Sequence, residues 1–556
     1  MMSYVQSSCI NGPGTKPTPW IETPEPITPP DTAFPVRSGT TAGDPCEIRD
    51  EQTRWISVDF KNQLQPGTFE FAVNEILDEM DLSFFNDRFH NDETGAPAYD
   101  PAILLKVVLF AYSRGITSSR EIERACRENV VFIALSADSR PHFTTIAAFI
   151  SSMKEEITPL FRNVLMVCAQ EGLIGRQMFA VDGCKLSANC AKEWSGTHAD
   201  LRKKKEKMEE AIRVLLRQHR EIDRTDEDAT WMREKAKDSV TRLRSKVRKL
   251  ETWLQSNEDK VGPSGKVRQS NLTDNESAKM PGAHGVVQGY NGLAAVDAKH
   301  QVIVHAEAFG EGAEKRLLKP LMDGLRENLT AVGVKGDPLH KAVVVADNGY
   351  HSEENARLVF EEGIEAYLPD SRFRKRDPAF ATASRHRRAV DRKKLRYRPR
   401  PFFGPSDFTF DPKKKTLVCP AGKELGVKVR NFRSHDGYVG TAYMGRVRDC
   451  RACSLRSKCL RKSHTPARQV VIFRGRDQEA PPTFCRRMME RFDTPRGRFL
   501  YSRRMGIVEP VFGNLRHALG LDHFTLRGRE KVNIQWKLYG MVHNLLKILR
   551  YGPRFA

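Results

Sequence analysis

Two aspartates that follow apolar runs are the first residues in this sequence whose positions suggest chemistry. Asp347 follows the valines at 343–345, and Asp182 ends the shorter apolar run "MFAV". A carboxylate at the end of a buried strand costs free energy unless it caps a helix, pairs with a base or holds a metal. The residues after Asp347 resemble a strand-to-helix turn, so capping and metal binding are equally consistent with the local sequence.

Four of the eleven cysteines lie close together and have a spacing that suggests metal binding. They are Cys419, Cys450, Cys453 and Cys459. The Cys-x2-Cys pair has the spacing of zinc ligands, and four thiolates would complete a tetrahedral structural site. The interval to the last cysteine is looser than in a standard second pair. Free reduced thiols are therefore an alternative, and an iron–sulfur cluster is a third.

The net charge of +21, from 91 Lys and Arg against 70 Asp and Glu, favours a polyanionic partner. The strongest local excess lies in residues 371–400, which contain 13 Lys and Arg and 2 Asp. Such a segment repels itself unless an anion neutralises it, so we expect contact with a DNA backbone, and a solvated loop is the alternative. The predicted DNA-binding residues in its first part are Arg372, Arg374, Lys375 and Arg376.

The sequence does not suggest a membrane protein. No apolar stretch is long enough to span a bilayer, and the first 20 residues lack the pattern of a secretory signal. We therefore expect a cytoplasmic protein with no membrane partner.

Residues 1–50, rich in Pro, Thr and Gly, are predicted to be a flexible tail. Helical periodicity begins at Pro101 in "PAILLKVVLFAYSRG", where Pro occupies a first turn and Gly115 follows the last turn. Further helical segments follow before Gly175. Residues 51–175 are therefore predicted to form a helical domain that resembles a helix-turn-helix DNA-binding bundle. Plain helical packing fits the periodicity equally well.

A long charged segment after residue 200 has apolar residues spaced alternately four and three apart. One run extends from Met208 to Ile222 and a second from Ala236 to Leu254, with "DRTDEDA" between them. This coiled-coil pattern predicts two helices at residues 200–256, which fold back as a hairpin or pair with a second copy. The charges are expected to form a solvated face without chemistry.

The order of the other elements up to residue 370 predicts one mixed sheet. The strand ending at Asp182 is followed by two strands that turn near residues 297–300. A helix, the strand before Asp347, a second helix and a short strand at "IEAYLP" come next. This is the element order of the ribonuclease H-like α/β fold. In that fold the first strand lies beside the strand after the first helix, so Asp182 and Asp347 are predicted to meet.

A third acid, Glu509, lies in the apolar sequence "GIVEPVFG" near the C-terminus. Arg516 follows it by seven residues and would share its helix face if the helix is continuous. Pro510 predicts that Glu509 stands in the first turn of a helix, where the helix dipole also favours a carboxylate. A purely structural role for this acid is therefore the alternative.

Three ordered motifs resemble the acidic motifs of bacterial insertion-sequence DDE transposases: "AVDGCKLSANCAK", "VVVADNGYHS" and "RRMGIVEPVFGNLRHALG". The helical sequence at 99–150 resembles the region that precedes these motifs in the same group. With the cysteine cluster before the last acid, the pattern is similar to the insertion-sequence 1182 family. The resemblance covers residues 50–550.

The resemblance implies that Asp182, Asp347 and Glu509 bind two Mg²⁺ or Mn²⁺ ions about 4 Å apart in one active site. One ion would activate a water or a 3′-hydroxyl, and the other would stabilise the leaving oxygen. Arg516 and Lys185 would hold a DNA phosphate nearby. The partners would be double-stranded transposon ends and target DNA, bound by a homodimer in synapsis in the bacterial cytoplasm at the nucleoid.

One signature of related transposases is altered in this sequence. Tyr501 and Arg504 keep their mutual spacing, but Glu509 comes five residues after Arg504, and Arg516 replaces a lysine. Arg504 is predicted to contact DNA. The positions of Tyr501 and Arg504 relative to the metals, and any DNA-hairpin step, stay open.

The predicted architecture is a ribonuclease H-like catalytic core at residues 176–370, completed by helices at 496–556. A basic and cysteine-rich insertion, similar to a zinc ribbon, occupies residues 371–495. The predicted function is metal-dependent DNA cleavage and strand transfer at insertion-sequence ends. The alternatives are a ribonuclease H-like nuclease without strand transfer and a non-catalytic DNA-binding protein derived from a transposase.

Overall fold

A computed structural model describes residues 59–88, 98–225, 230–262, 265–282, 285–382, 402–434, 438–462, 464–476 and 482–555. The tail predicted at 1–50 and residues 383–400 of the basic segment lie outside the described residues.

The described chain begins with helices α1 (Phe69–Glu79), α2 (Pro101–Ser113), α3 (Ser119–Glu128), α4 (Val130–Leu135), α5 (Phe143–Ser152) and α6 (Ile157–Gln170). Helix α2 forms where the sequence predicts it. The Asp100 side chain accepts a hydrogen bond from the backbone N–H of Ala102, and Pro101 occupies the first turn. Gly115 adopts a φ of +74° just beyond the end of the helix, a conformation that glycine tolerates best.

The strands up to residue 370 are β1 (Met178–Ser187), β2 (Ser195–Gly196), β3 (Lys260–Val261), β4 (Val267–Arg268), β5 (Ser270–Asn271), β6 (Ala278–Gly282), β7 (Gly285–Asp297), β8 (Ile303–Phe309), β9 (Val343–Ala346) and β10 (Glu365–Tyr367). The main sheet has the order β10-β9-β1-β7-β6, and β8 also pairs with β7. Strand β1 is parallel to β9 and antiparallel to β7. Strand β1, which carries Asp182, and β9, which ends just before Asp347, are therefore neighbours in a mixed sheet, as predicted. The prediction that the first strand ends at Asp182 is wrong, because pairing with β7 continues β1 to Ser187.

The charged segment forms two long helices, α7 (His198–Thr225) and α8 (Thr230–Ser256), which pack against each other. Ile212, Val240 and Val247 are buried between them. These three residues belong to the predicted apolar repeat. The repeat therefore holds together a hairpin within one chain.

Helices α9 (Leu318–Ala331) and α10 (Glu353–Glu361) connect β8 to β9 and β9 to β10, and a short helix α11 (Phe373–Arg376) follows. The Ser352 side chain caps the start of α10, where its hydroxyl accepts a hydrogen bond from the N–H of Asn355 at 3.2 Å. The crossover through α10 allows β10 to run parallel to β9.

The cysteine-rich region contains an antiparallel sheet of β11 (Thr409–Asp411), β12 (Thr416–Val418), β13 (Glu424–Arg433), β14 (Tyr438–Gly445) and β15 (Gln469–Arg476), paired in sequence order. Two short helices, α12 (Val447–Arg451) and α13 (Arg456–Cys459), lie between the last two strands. Leu417, Leu425 and Val470 belong to a small hydrophobic core of this sheet, separate from the main core.

The chain ends with α14 (Phe484–Phe492), α15 (Pro495–Gly513) and α16 (Arg529–Tyr551). The prediction that Pro510 marks a first turn is wrong, because Pro510 lies near the C-terminal end of the nineteen-residue α15. A proline inside a helix leaves the carbonyl four residues earlier without its usual N–H partner. Here the Gln301 side chain donates to that carbonyl, Gly506 O, at 2.9 Å, which explains how the helix continues.

Helix α16 joins the N-terminal helices to the sheet. The Trp536 indole donates to the carbonyl of Leu293 in β7 at 2.9 Å, and Asn544 hydrogen-bonds both the N–H and the carbonyl of Ile303 in β8 at 2.8 Å. On the other side, Tyr539 packs against Tyr112 of α2, with ring centroids 4.9 Å apart. Helices and sheet therefore share one hydrophobic core.

Among the described helices, none combines the length and the apolar character that crossing a membrane requires.

Candidate active site

The parallel pairing of β1 and β9 determines where the two candidate aspartates lie. Val181 is paired with Ala346 in this register, so the residues that follow them, Asp182 and Asp347, lie at the same level of the sheet. Each carboxylate raises the free energy of ionising its neighbours, and the charge of Asp347 contributes to a raised pKa of Asp182. The sheet therefore brings the two acids into electrostatic contact.

Asp182 is paired with an arginine from helix α15. Arg504 Nη1 donates to Asp182 Oδ2, and the other oxygen, Oδ1, accepts from the N–H of Gly183 at 2.8 Å. The Asp182 side chain is only 20% exposed, and this burial raises its pKa more than Arg504 lowers it. Arg504, predicted to contact DNA, is thus an internal counterion of the first acid.

Asp347 is also a capping residue. Its Oδ1 accepts a hydrogen bond from the N–H of Gly349 at 2.7 Å and caps the 3-10 turn Asn348–Tyr350. The sequence left capping and metal binding as alternatives for this residue. Because the cap uses one oxygen, the two roles are compatible.

A glutamate that the sequence did not single out lies at the same site. Glu314 precedes α9, and its side chain is 13% exposed. Its Oε1 accepts from Asn291 Nδ2 at 3.2 Å and lies 3.9 Å from Lys185 Nζ. Burial raises the pKa of Glu314, as do the charges of Asp347 and Asp182, whereas Lys185 lowers it. Lys185, predicted to hold a DNA phosphate, is therefore paired with an acid in this structure.

The missed residues had one weak signal in the sequence. Asn291 is the one amide side chain in the mainly apolar sequence "GYNGLAAV". A polar side chain buried in such a strand requires a hydrogen-bond partner. Glu314 sits at the start of a predicted helix, where an acid is usual, so its type carried no information.

Glu509, the third predicted acid, is exposed on α15. No hydrogen bond or ion pair joins it to Asp182 or Asp347 among the described residues. Arg516 is also exposed and lies in the π-helical turn Asn514–Ala518 that follows α15. The predicted common face of Glu509 and Arg516 assumed a regular α-helix throughout, and that assumption is wrong because a π-turn changes the angular spacing.

Tyr501 lies one turn before Arg504, whose guanidinium stands over its ring at 5.6 Å from the centroid. Its ring also packs against Phe492 and Phe373, with centroids 5.1 and 5.4 Å away. Tyr501 therefore helps to position the arginine that pairs with Asp182.

The predicted DNA-binding residues of the basic segment fall into two groups. Arg372, Arg374 and Lys375 are exposed. Arg376 instead donates to Asp493 Oδ2 at 2.6 Å and pairs with Asp370, so it joins α11 to the end of α14. These two ion pairs favour a structural role for Arg376.

The four clustered cysteines line one cavity of about 30 Å³ in the antiparallel-sheet region. The backbone N–H of Lys423 donates to Cys419 Sγ at 3.3 Å. Burial raises the pKa of Cys459, as do the other three cysteines, whereas Arg468 lowers it. The thiols that the sequence grouped are therefore neighbours in space as well.

Neither cluster has the geometry of a formed metal centre. Within the part of the chain that the structure describes, no three Cys, His, Asp or Glu side chains are arranged to hold a metal ion. The donor types nevertheless fit. Carboxylate oxygens suit Mg²⁺ or Mn²⁺, and four thiols suit Zn²⁺.

Comparison with known protein families gives two matches. Residues 418–549 match a family described as "Transposase DDE domain", and residues 58–152 match one described as "Transposase domain (DUF772)". A comparison with curated proteins finds no match. The first range contains the cysteine cluster, Arg504 and Glu509, whereas Asp182 and Asp347 lie outside both ranges. Together the two matches support an insertion-sequence transposase.

Proposed function

We propose that this protein is a DDE transposase that binds insertion-sequence ends, cleaves DNA and joins the released 3′-hydroxyl to target DNA. The observation that carries the proposal is the meeting of Asp182 and Asp347 at neighbouring parallel strands. This pairing occurs in a chain that matches transposase families on both sides of the two acids. In this proposal the core is ribonuclease H-like and the protein belongs to the insertion-sequence 1182 family. The strand order β10-β9-β1-β7, with β8 also paired to β7, and the cysteine cluster support these finer assignments.

The acids are proposed to bind two divalent cations, Mg²⁺ or Mn²⁺. Asp182 and Asp347 each offer carboxylate oxygens, and Glu509 is exposed on the helix that carries Arg504. When bound, the cations would make a water or a 3′-hydroxyl nucleophilic and neutralise charge on the phosphate. Asp347 Oδ1 keeps its bond to Gly349, which orients the carboxylate.

Arg504 has a specific part in this proposal. In the described structure it neutralises Asp182 and limits the repulsion between the acids. A guanidinium binds phosphate in the same bidentate way as it binds carboxylate. Once cations bind Asp182, Arg504 would be free to bind a DNA phosphate. The predicted DNA contact of Arg504 is therefore compatible with its ion pair to Asp182.

DNA binding is proposed to involve the N-terminal helices and the exposed residues Arg372, Arg374 and Lys375, with Arg516 and Lys185 closer to the acids. Exposed cations release counterions from DNA when they contact phosphates. Joining two element ends requires synapsis, and a homodimer is the simplest arrangement that supplies two active sites.

The cysteine cluster is proposed to hold a structural Zn²⁺. The four side chains come together around a small cavity, and the backbone N–H of Lys423 donates to the sulfur of Cys419. The ion would tie the loop after β12 to the short helices α12 and α13.

A product assay tests the enzyme proposal. Purified protein is incubated with a labelled duplex carrying the flanking ends of its own element, a target plasmid and Mg²⁺. Joined strands are the expected product, and they should be missing with Asp182→Asn. Cut ends without joined strands would indicate a nuclease. Binding without any cleavage would indicate a non-catalytic DNA-binding protein.

A further inference from the structure

Glu314 differs from an ordinary surface glutamate in its surroundings. It lies beside the acids of the candidate active site, and the charges of Asp347 and Asp182 both act on it. Its Oε2 approaches the backbone of Gly349, the residue that donates to Asp347. A Cβ at Gly349 would clash with this carboxylate, so the glycine allows the close approach. A third acid therefore lies beside the two aspartates, although the three carboxylates are not arranged as a formed metal site.

Burying a third carboxylate here is costly. The charges of Asp347 and Asp182 disfavour ionisation of Glu314, and Lys185, with its Nζ 3.9 Å from Oε1, opposes that effect by charge. An ion pair at this distance is weak. A chain that needed only a helix-start acid at this position would have no reason to bury it beside two others.

Two buried polar atoms facing this cluster point to a ligand. Asn291 is fully buried; its Nδ2 bonds Glu314, but its Oδ1 has no hydrogen-bond partner in the described structure. Tyr350 is also fully buried, and its hydroxyl has no partner there either. The charges of Glu314, Asp182 and Asp347 all act on this hydroxyl and, together with burial, raise its pKa well above the usual value.

An unpaired buried amide oxygen or hydroxyl destabilises the folded state, so these two atoms need an explanation. A hydrated divalent cation would satisfy both. Its water molecules would donate to the amide oxygen and to the hydroxyl oxygen, while its charge would offset the repulsion between the acids. Hard oxygen donors from three carboxylates favour Mg²⁺ or Mn²⁺ over softer metals.

We propose that Glu314 is a further ligand of the divalent cation held by Asp182 and Asp347, with Asn291 and Tyr350 as residues that position its hydration shell. The inference rests on the proposed transposase function and adds to its active site a carboxylate from the segment before α9.

The inference is tested by measuring the affinity of the full-length protein for Mn²⁺ by isothermal titration calorimetry, without DNA. Glu314→Gln keeps an oxygen that accepts from Asn291 but removes the charge. It should weaken Mn²⁺ affinity at least about tenfold, as Asp347→Asn should, because even residues that only orient ligands have effects of this size. Glu311→Gln is the matched control: it lies three residues earlier, pairs with Arg268 at 3.5 Å and should leave the affinity unchanged.

Thermal unfolding separates metal binding from a folding defect. Glu314→Gln should unfold at the wild-type temperature or higher in EDTA, because removing a like charge relieves repulsion. Added Mn²⁺ should stabilise it less than it stabilises the wild type. An unchanged affinity in Glu314→Gln, while Asp347→Asn loses binding, would overturn the inference. So would a wild-type protein that binds no Mn²⁺ through the two aspartates.

The product assay keeps this inference distinct from the proposed function. If Mn²⁺ binding depends on Glu314 but no strands are joined, the transposase proposal fails and the metal site stands. If strands are joined and Glu314→Gln binds Mn²⁺ normally, the site inference alone fails.

Discussion

The acidic cluster and the cysteine cluster both consist of side chains of types that can bind metal ions, but the fold assembles them differently. Asp182 and Asp347 are far apart in the sequence and meet because β1 pairs with β9. The cysteines come from one local segment, and the small sheet of the insertion brings them around one cavity. The acidic site therefore depends on the whole core, whereas the thiol site depends on a region with a hydrophobic core of its own.

The two clusters also differ in how they manage charge. The carboxylates lie partly buried next to each other, and Arg504 and Lys185 partly neutralise Asp182 and Glu314. Thiols are neutral until a metal displaces their protons, so the cysteine cluster needs no internal counterion. Removing a ligand should consequently unfold the thiol region but should leave the acidic region folded and inactive.

Loss of the proposed zinc should have the largest effect, since structural zinc contributes roughly 10–16 kcal/mol to the folding of small metal-dependent units. We expect wild-type protein to contain about one zinc ion per chain and Cys453→Ser to contain almost none, with the insertion becoming sensitive to protease. Metal analysis and limited proteolysis measure both effects. Cys485→Ser, which changes a cysteine outside the cluster, is the control. Equal zinc contents in the two variants would contradict the site.

Asp347→Asn should abolish catalysis and spare the fold. The amide oxygen can still accept from Gly349, so the cap is kept while the charge is lost. Loss of several kcal/mol of transition-state stabilisation corresponds to a fall of roughly a thousandfold in cleavage and joining. The variant should unfold at the wild-type temperature and bind DNA ends. The control, Asp323→Asn, changes an exposed acid of α9 that pairs with Lys319. Retained cleavage in Asp347→Asn would exclude a catalytic role.

Acid should weaken the helical support of the acidic site more than the insertion. His543 of α16 is buried between Asn514 and the carbonyl of Gln301, and burial lowers its pKa to about 4 from an ordinary value of 6.5. With a depressed pKa, its contribution to stability is complete above pH 6.5. That contribution is lost as the pH falls towards 4, because the unfolded chain binds the proton first. The loss amounts to up to about 3 kcal/mol.

The free energy of unfolding in urea is measured at pH 7 and pH 5 for the wild type and for His543→Gln, which has no titratable group at this position. The wild type should lose more stability than the variant on acidification. His523→Gln, at an exposed histidine, should behave like the wild type. A variant with the same pH dependence as the wild type would rule out His543 as the cause.

Removing charges from the basic segment should have the smallest effect. It should also distinguish residues that contact DNA from Arg376, which stabilises the fold. Replacing Arg372, Arg374 and Lys375 with Ala should reduce the salt slope of DNA binding by roughly one unit for each phosphate that the protein no longer neutralises, without changing stability. Arg376→Ala should leave the slope unchanged and cost about 1 kcal/mol of stability, because Asp370 and Asp493 lose their partner. Filter binding from low to moderate salt, together with urea unfolding, measures both. The same change in slope for both variants would contradict the division.

Much of this protein follows from local sequence. The helix at Pro101–Ser113, the helical hairpin and a strand at each of the apolar runs that precede Asp182 and Asp347 were predicted from periodicity and from Pro and Gly at element ends, although β1 continues past Asp182 to Ser187. These features depend on interactions between residues near in sequence, so a single chain is enough to reveal them. The grouping of the four cysteines belongs to the same class, because their spacing is local.

Only the tertiary structure decided the composition of the acidic site. The pairing of Arg504 with Asp182 and the burial of Glu314 beside Asp182 join residues more than 100 positions apart, and no local pattern encodes such contacts. Pro510 shows the same limit. Its sequence predicts a helix start, but Gln301, from a turn over 200 residues away, supplies the hydrogen bond that lets α15 continue. Helix propensity describes the conformation that a segment prefers in isolation. Long-range packing and hydrogen bonds determine whether the folded chain adopts that conformation.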